Sequence, residues 1–142
     1  MESALYNRDI LRLASMLQAD DRLDGPHGTA EVRSPICGSR IQADVELADG
    51  KISALALRAN ACALGQASAA IIRCRATGSE LSMIAGIRDG VEQALKGNAP
   101  MPTTWPELCL LSTAKDYPSR HAAILLPFDA LLAAATKMKP AL

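Results

Sequence analysis

Cysteine offers the most chemistry in this chain, and two of its four cysteines, Cys37 and Cys62, have surroundings that suit reactivity. Cys37 lies in Pro35-Ile36-Cys37-Gly38, where the glycine lets backbone amides approach a ligand. Cys62 precedes a helical stretch, and a helix start, with its unpaired N–H groups, favours thiolate over thiol. Thiolate is the form that binds a metal or attacks a persulfide. The competing reading makes both small buried apolar side chains, as free cysteines often are. Cys74 and Cys109, set among Ile, Leu and Arg at helical spacing, read as core. His27, between Pro26 and Gly28, reads as a loop residue, and Ser39 as a turn or strand residue. Arg120 has two readings, a surface ion pair or a partner for a thiolate, a persulfide or a carboxylate.

A β-hairpin between the two cysteines would position them. Residues 41–47 and 53–59 alternate in polarity and are joined by Ala48-Asp49-Gly50-Lys51, a turn signal. Ile41, Ala43, Val45 and Leu47 share a face with Leu55, Leu57 and Ala59 only if odd positions pair with odd. A three-residue loop, Ala48-Asp49-Gly50, achieves this and sets Leu47 opposite Lys51. A slip of one residue would turn every core side chain to water. Followed to the open end, that register places Cys37 opposite Ala61, beside Cys62.

The remaining elements follow from periodicity. Leu5, Ile10, Leu13, Ala14 and Leu17 predict an amphipathic helix over residues 3–18. Residues 29–34 read as a first strand ended by Pro35, which completes a three-stranded, largely antiparallel sheet. After Cys62 the period becomes helical. An Ala-rich helix spans residues 63–76, and a second helix runs to Lys96-Gly97, opened by a Thr77/Glu80 capping box and open to a split at Asp89-Gly90. A proline-rich linker over 97–106 leads to a short helix over 105–114. The last helix, 119–138, contains Pro127, which should bend or interrupt it. The fold class is α+β: a three-stranded antiparallel sheet with helices packed on one face.

At 142 residues the chain reads as one domain, 1–142, able to bury a core without disulfides. Fifteen basic and fifteen acidic residues cancel, which gives no case for a polyanionic partner such as nucleic acid. Aromatic residues make up 3%, too few for a base-stacking surface. No apolar run reaches the ~18 residues that cross a bilayer. The first residues lack the basic and apolar regions of a signal peptide, so the cysteines read as reduced, cytoplasmic thiols. Neither a Gly-rich phosphate loop nor a Ser-His-Asp arrangement is legible.

Pro35-Ile36-Cys37-Gly38, then Ala61-Cys62-Ala63-Leu64 with Gln66-Ala67-Ser68-Ala69, then Tyr117-Pro118-Ser119-Arg120 with Leu125-Leu126-Pro127-Phe128-Asp129-Ala130-Leu131 form a graded set of matches. Together with the element order, they resemble the iron–sulfur cluster assembly scaffolds of the NifU N-terminal, IscU and SufU type over most of the chain. The resemblance implies a non-enzymatic scaffold that takes sulfur from a cysteine desulfurase, holds a transient iron–sulfur cluster or a zinc ion, and hands the cluster to recipient apoproteins. It implies Cys37 and Cys62 as cluster and metal ligands. Two family ligand positions are altered: an aspartate is Ser39 here, and a third cysteine falls on Ala123. His121, two residues before Ala123, is the candidate substitute metal ligand. Four readings follow: an open, labile two- or three-ligand site; a cluster shared across a homodimer; a metal-free persulfide acceptor; and a degenerate paralogue kept as a binding module.

Overall fold

The computed structural model describes residues 7–17, 23–26, 28–35 and 38–136. Helix α1 (Arg8–Met16) is opened by Asn7, whose side chain accepts from the Ile10 amide at 3.1 Å. Strands β1 (Gly28–Arg33), β2 (Arg40–Ala48) and β3 (Lys51–Asn60) form an antiparallel sheet in the order β1-β2-β3. Helices α2 (Ala63–Arg75) and α3 (Leu81–Leu95), 3-10 segments at Pro106–Ala114 and Pro118–Arg120, and helix α4 (His121–Thr136) complete the chain. Helix α4 lies across β1 and β2, α2 packs on β3 and on α4, and α1 packs on α2. The expected three-stranded α+β architecture is the one observed. The ends of the expected first and last helices, residues 3–6, 18 and 137–138, lie outside the described residues.

The hairpin keeps the expected parity by a different route. Ala48 pairs with Lys51, so the loop has two residues, Asp49 and Gly50, rather than three. Both have positive φ, 54° and 76°, as a type I′ turn requires, and that turn matches the twist of the strands it joins. A two-residue loop alone would pair odd with even. The register shifts between Glu46 and Leu47, where Glu46 faces Ala54 and Leu47 faces Ile52, leaving Ser53 as the extra residue of a bulge. Beyond it Val45 faces Leu55, Ala43 faces Leu57 and Ile41 faces Ala59. Leu47 therefore does not face Lys51, and the register at the open end differs by two residues from the expected one.

The two faces of the sheet part company at this point. Ala30, Ile41, Ala43, Val45, Leu55 and Leu57 are buried against the helices. On the other face, rows of three run across the strands: Thr29, Asp44, Ala56; then Glu31, Gln42, Arg58; then Arg33, Arg40, Asn60. The first row is partly covered. Asp44 is 2% exposed and accepts from the Thr29 hydroxyl at 2.7 Å and the Leu23 amide at 3.2 Å.

Helix α3 corrects two expectations. Its N-cap is Glu80, without a side-chain cap bond, so the Thr77/Glu80 capping box does not form. Gly78 N donates to Ile52 O at 2.7 Å and Ile52 N to Ser79 O at 3.0 Å, so this segment pairs with the start of β3 and the helix begins later. Nor does Asp89-Gly90 split the helix. Gly90 is where Pro102 of the linker packs, and a Cβ there would lie 2.7 Å from Pro102 Cγ. Arg88 ties α3 to α4 through Asp129 at 3.0 Å. Trp105 stacks on Phe128 with ring centroids 6.1 Å apart, holding the first 3-10 segment to α4.

Removing the Asp44 carboxylate removes the hydrogen bonds it accepts from the Thr29 hydroxyl and the Leu23 amide. Asp44→Ala is expected to cost about 1–3 kcal/mol of stability, read as a lower urea midpoint with an unchanged slope.

Candidate functional site

The open end of the hairpin is built by two chain segments that approach each other. On the β1–β2 side, Ser34 N donates to Ser39 O and Gly38 N to Ser34 O, both at 2.9 Å, so the connection is pinched shut at its base. Gly38 has φ 73°, the left-handed conformation that glycine adopts without strain. Ser39 is 4% exposed and is part of this closed base. Cys37 itself lies outside the described residues, as does His27. On the β3 side, Asn60 pairs with Arg40, and Cys62 follows two residues later as the N-cap of α2.

Cys62 is a partly exposed free thiol whose side chain makes no cap bond, so its sulfur is not committed to the helix it begins. The peptide before it is held firmly. Gln66 reaches back one turn and donates from Nε2 to Ala61 O at 3.0 Å, and the Gln66 amide donates to Cys62 O at 3.0 Å. A depression of about 620 Å³ between the two segments is lined by Ser34, Pro35 and Gly38 on one side and Arg40 and Asn60 on the other. The described neighbours of Cys37 and of Cys62 thus border one cavity.

Helix α4 reaches the same end. Pro127 has no N–H to give to the carbonyl of Ala123 four residues earlier. At that carbonyl α2 comes close: a Cβ on Gly65 would lie 3.2 Å from Ala123 O, 2.8 Å from Ala61 Cβ and 3.7 Å from Ala123 Cβ. Ser68, also on α2, donates to Ile124 O at 2.7 Å. Small residues on α2 and the proline on α4 make one crossing, and Pro127 sits inside a continuous helix rather than ending it. Ala123, 1% exposed, stands in this crossing against Gly65, which follows Cys62 by three residues on α2.

His121 is the first residue of α4 and partly buried. Its Nε2 lies 2.9 Å from Ala114 O and 3.3 Å from Lys115 O, so this nitrogen carries the proton and caps the end of the first 3-10 segment. Only Nδ1 remains to accept or to ligate. Among the described residues no group of three or more His, Cys, Asp or Glu side chains is placed to hold a metal ion. A four-ligand zinc cage is therefore not formed by the described side chains.

Cys74 and Cys109 are exposed, not core. Cys74 falls among Arg73 and Arg75 in the last turn of α2, past the buried run that ends at Ile72. Cys109 is turned outward because its segment is a 3-10 helix. Leu108, Leu111 and Ala114 recur every three residues and take the buried side. Arg75 closes this region with a bidentate pair to Glu107, at 2.9 and 2.6 Å, which holds that carboxyl below its ordinary range. Sequence reasoning missed the outer sheet face. Its signal was available in the spacing of Arg33, Arg40 and Arg58, which the register alone assembles.

No family model matches the chain. It is 31% identical to a crystal structure of a nitrogen-fixing NifU-like protein (N-terminal) from Brucella abortus, covering 94% of each chain with a TM-score of 0.89. A putative iron–sulfur cluster assembly scaffold protein for the SUF system from Fervidobacterium islandicum shares the fold at 19% identity and a TM-score of 0.84, over 92% of this chain and 96% of that one. The iron–sulfur cluster assembly scaffold protein IscU of Thermotoga maritima is 24% identical over 134 residues, 94% of both chains. Fold and these likenesses agree: the chain belongs to the family of NifU N-terminal, IscU and SufU-like proteins.

The α2–α4 crossing has no room for another methyl at Gly65. Gly65→Ala is expected to cost about 1–3 kcal/mol by overpacking against Ala61 and Ala123, measured by urea unfolding.

Proposed function

We propose that this protein is an iron–sulfur cluster assembly scaffold that receives sulfur from a cysteine desulfurase and holds iron and sulfide through Cys37 and Cys62. The observation that carries the reading is the near-full-length likeness to the NifU-like protein, with residues flanking both cysteines bordering one open cavity. Sulfur arrives when a Cys62 or Cys37 thiolate attacks the outer sulfur of the desulfurase persulfide. The old S–S bond breaks, a new one forms on the scaffold, and the desulfurase leaves as its thiolate. Iron and sulfide are cargo, passed on to recipient apoproteins, and the protein performs no turnover of its own. No described helix is long and apolar enough to cross a membrane, in keeping with work in the cytoplasm.

Ligand supply sets how tightly the cargo is held. Two thiolates fall short of the four usual for zinc or a cluster. A third ligand from His121 would come through Nδ1, since Nε2 caps the Ala114 carbonyl. Ser39 is buried in the closed base of the β1–β2 connection, and Ala123 puts a methyl where the family's third cysteine falls. These two positions favour a second reading, in which the cysteines accept sulfur as persulfide without a metal. A cluster shared by two chains, each giving two thiolates, would meet the ligand count as a homodimer.

Protein prepared without oxygen and reconstituted with iron and sulfide is expected to carry both, with visible charge-transfer absorption that Cys37→Ala and Cys62→Ala each abolish. Persulfide on the chain with no iron bound would select the metal-free reading, and neither signal would overturn both. Restoring the missing thiol is the converse test. Ala123→Cys is expected to tighten zinc by at least about tenfold, ~1.4 kcal/mol, read by competition with a chromogenic chelator.

A further inference from the structure

We propose that the open end of the outer sheet face, where β3 leads into Cys62, binds a carboxylate-rich, extended segment of a partner protein. Cross-strand pairing sets Arg33 directly against Arg40, and Arg58 lies diagonally from Arg40 on β3. All three are exposed. Like charges placed opposite each other in a sheet repel and lower stability, and here the repulsion has little internal relief. Arg33 touches Glu31 at 3.4 Å, whereas the guanidiniums of Arg40 and Arg58 make no ion pair or hydrogen bond with the described residues, their backbones alone being paired in the sheet. The contrast with Arg75 and Arg88, whose guanidiniums are closely paired to carboxylates, is plain.

The surface around these arginines is hollow and polar. A groove of about 590 Å³ is lined by Glu31, Arg40, Gln42, Arg58, Asn60 and Gln66, among others. It shares Arg40 and Asn60 with the depression that borders the cysteine flanks. Glu31 is the single acid among the described residues lining either, and it leans toward Arg33. Because the chain as a whole is neutral, this excess of positive charge is local.

Geometry favours an extended occupant. Arg40 and Arg58 stand in rows two residues apart along the strands, a step of about 6.8 Å, which is also the repeat of same-side residues in an extended chain. Glu or Asp at alternate positions of such a segment would meet one guanidinium per row, each able to fork onto a carboxylate. The segment would lie over the groove and leave its protein beside Gly38 and Asn60. This inference concerns the partner surface and does not depend on what Cys62 holds.

The test uses the full chain and a fluorescein-labelled peptide of alternating Glu and Ser, read by fluorescence anisotropy. Saturable binding at low salt, weakened at about 0.3 M salt, is expected. Arg40→Glu/Arg58→Glu should raise Kd at least about tenfold. Lys51→Glu, at the turn end of the same hairpin, should leave it within about twofold. Arg40→Gln/Arg58→Gln should weaken binding less than charge reversal while leaving the melting temperature unchanged or raised, and it serves if reversal unfolds the chain. Absent binding, or equal loss from Lys51→Glu, would overturn the proposal. So would citrate competing as well as unlabelled peptide, which would mark a small-anion site. A dimer of the free protein that the arginine variants dissolve would assign the face to a second copy and overturn it as well.

Discussion

Everything in this molecule depends on the parity of one strand pairing. A two-residue turn with both residues at positive φ suits the twist of β2 and β3, yet by itself it would oppose odd residues with even ones and expose the core. The bulge at Ser53 restores the parity at the expense of one unpaired residue. From there the apolar set of the hairpin faces α2 and α4, and the polar set lies on the opposite face, where Asp44 is covered and Arg40 and Arg58 are exposed. The same pairing brings the beginning of β2 level with the end of β3, so that the flanks of Cys37 and Cys62 share a cavity.

The second constraint is the crossing of α2 and α4. Pro127 withdraws a hydrogen bond from the Ala123 carbonyl, and Gly65 lets α2 approach there. Close approach demands small side chains on both helices. Ala123, 1% exposed, suits that demand.

Charge is arranged with the same economy. Arginines that stitch elements together, Arg75 to Glu107 and Arg88 to Asp129, have carboxylates in contact. Those on the outer sheet face lie side by side at the cavity's rim. The fold thus keeps a buried apolar face, a thiol-bearing edge and a cationic face around a single short hairpin.

Much of this was legible in order of residues. Alternation in 41–47 and 53–59, helical periods elsewhere and the Asp49-Gly50 turn are local properties, and local propensity is written directly in the chain. The motifs around Cys37, Cys62 and Pro118 pointed to the family for the same reason. Other features were decided only by tertiary structure. The bulge arose because the turn's twist and the core's parity had to be met together. Cys109 faces water because its segment winds with a three-residue period, and Cys74 because α2 outruns its cover. His121 spends one nitrogen on Ala114, seven residues away, and Arg33, Arg40 and Arg58 become neighbours only across three strands. Each of these is a relation between residues apart in sequence, set by packing that no single stretch contains.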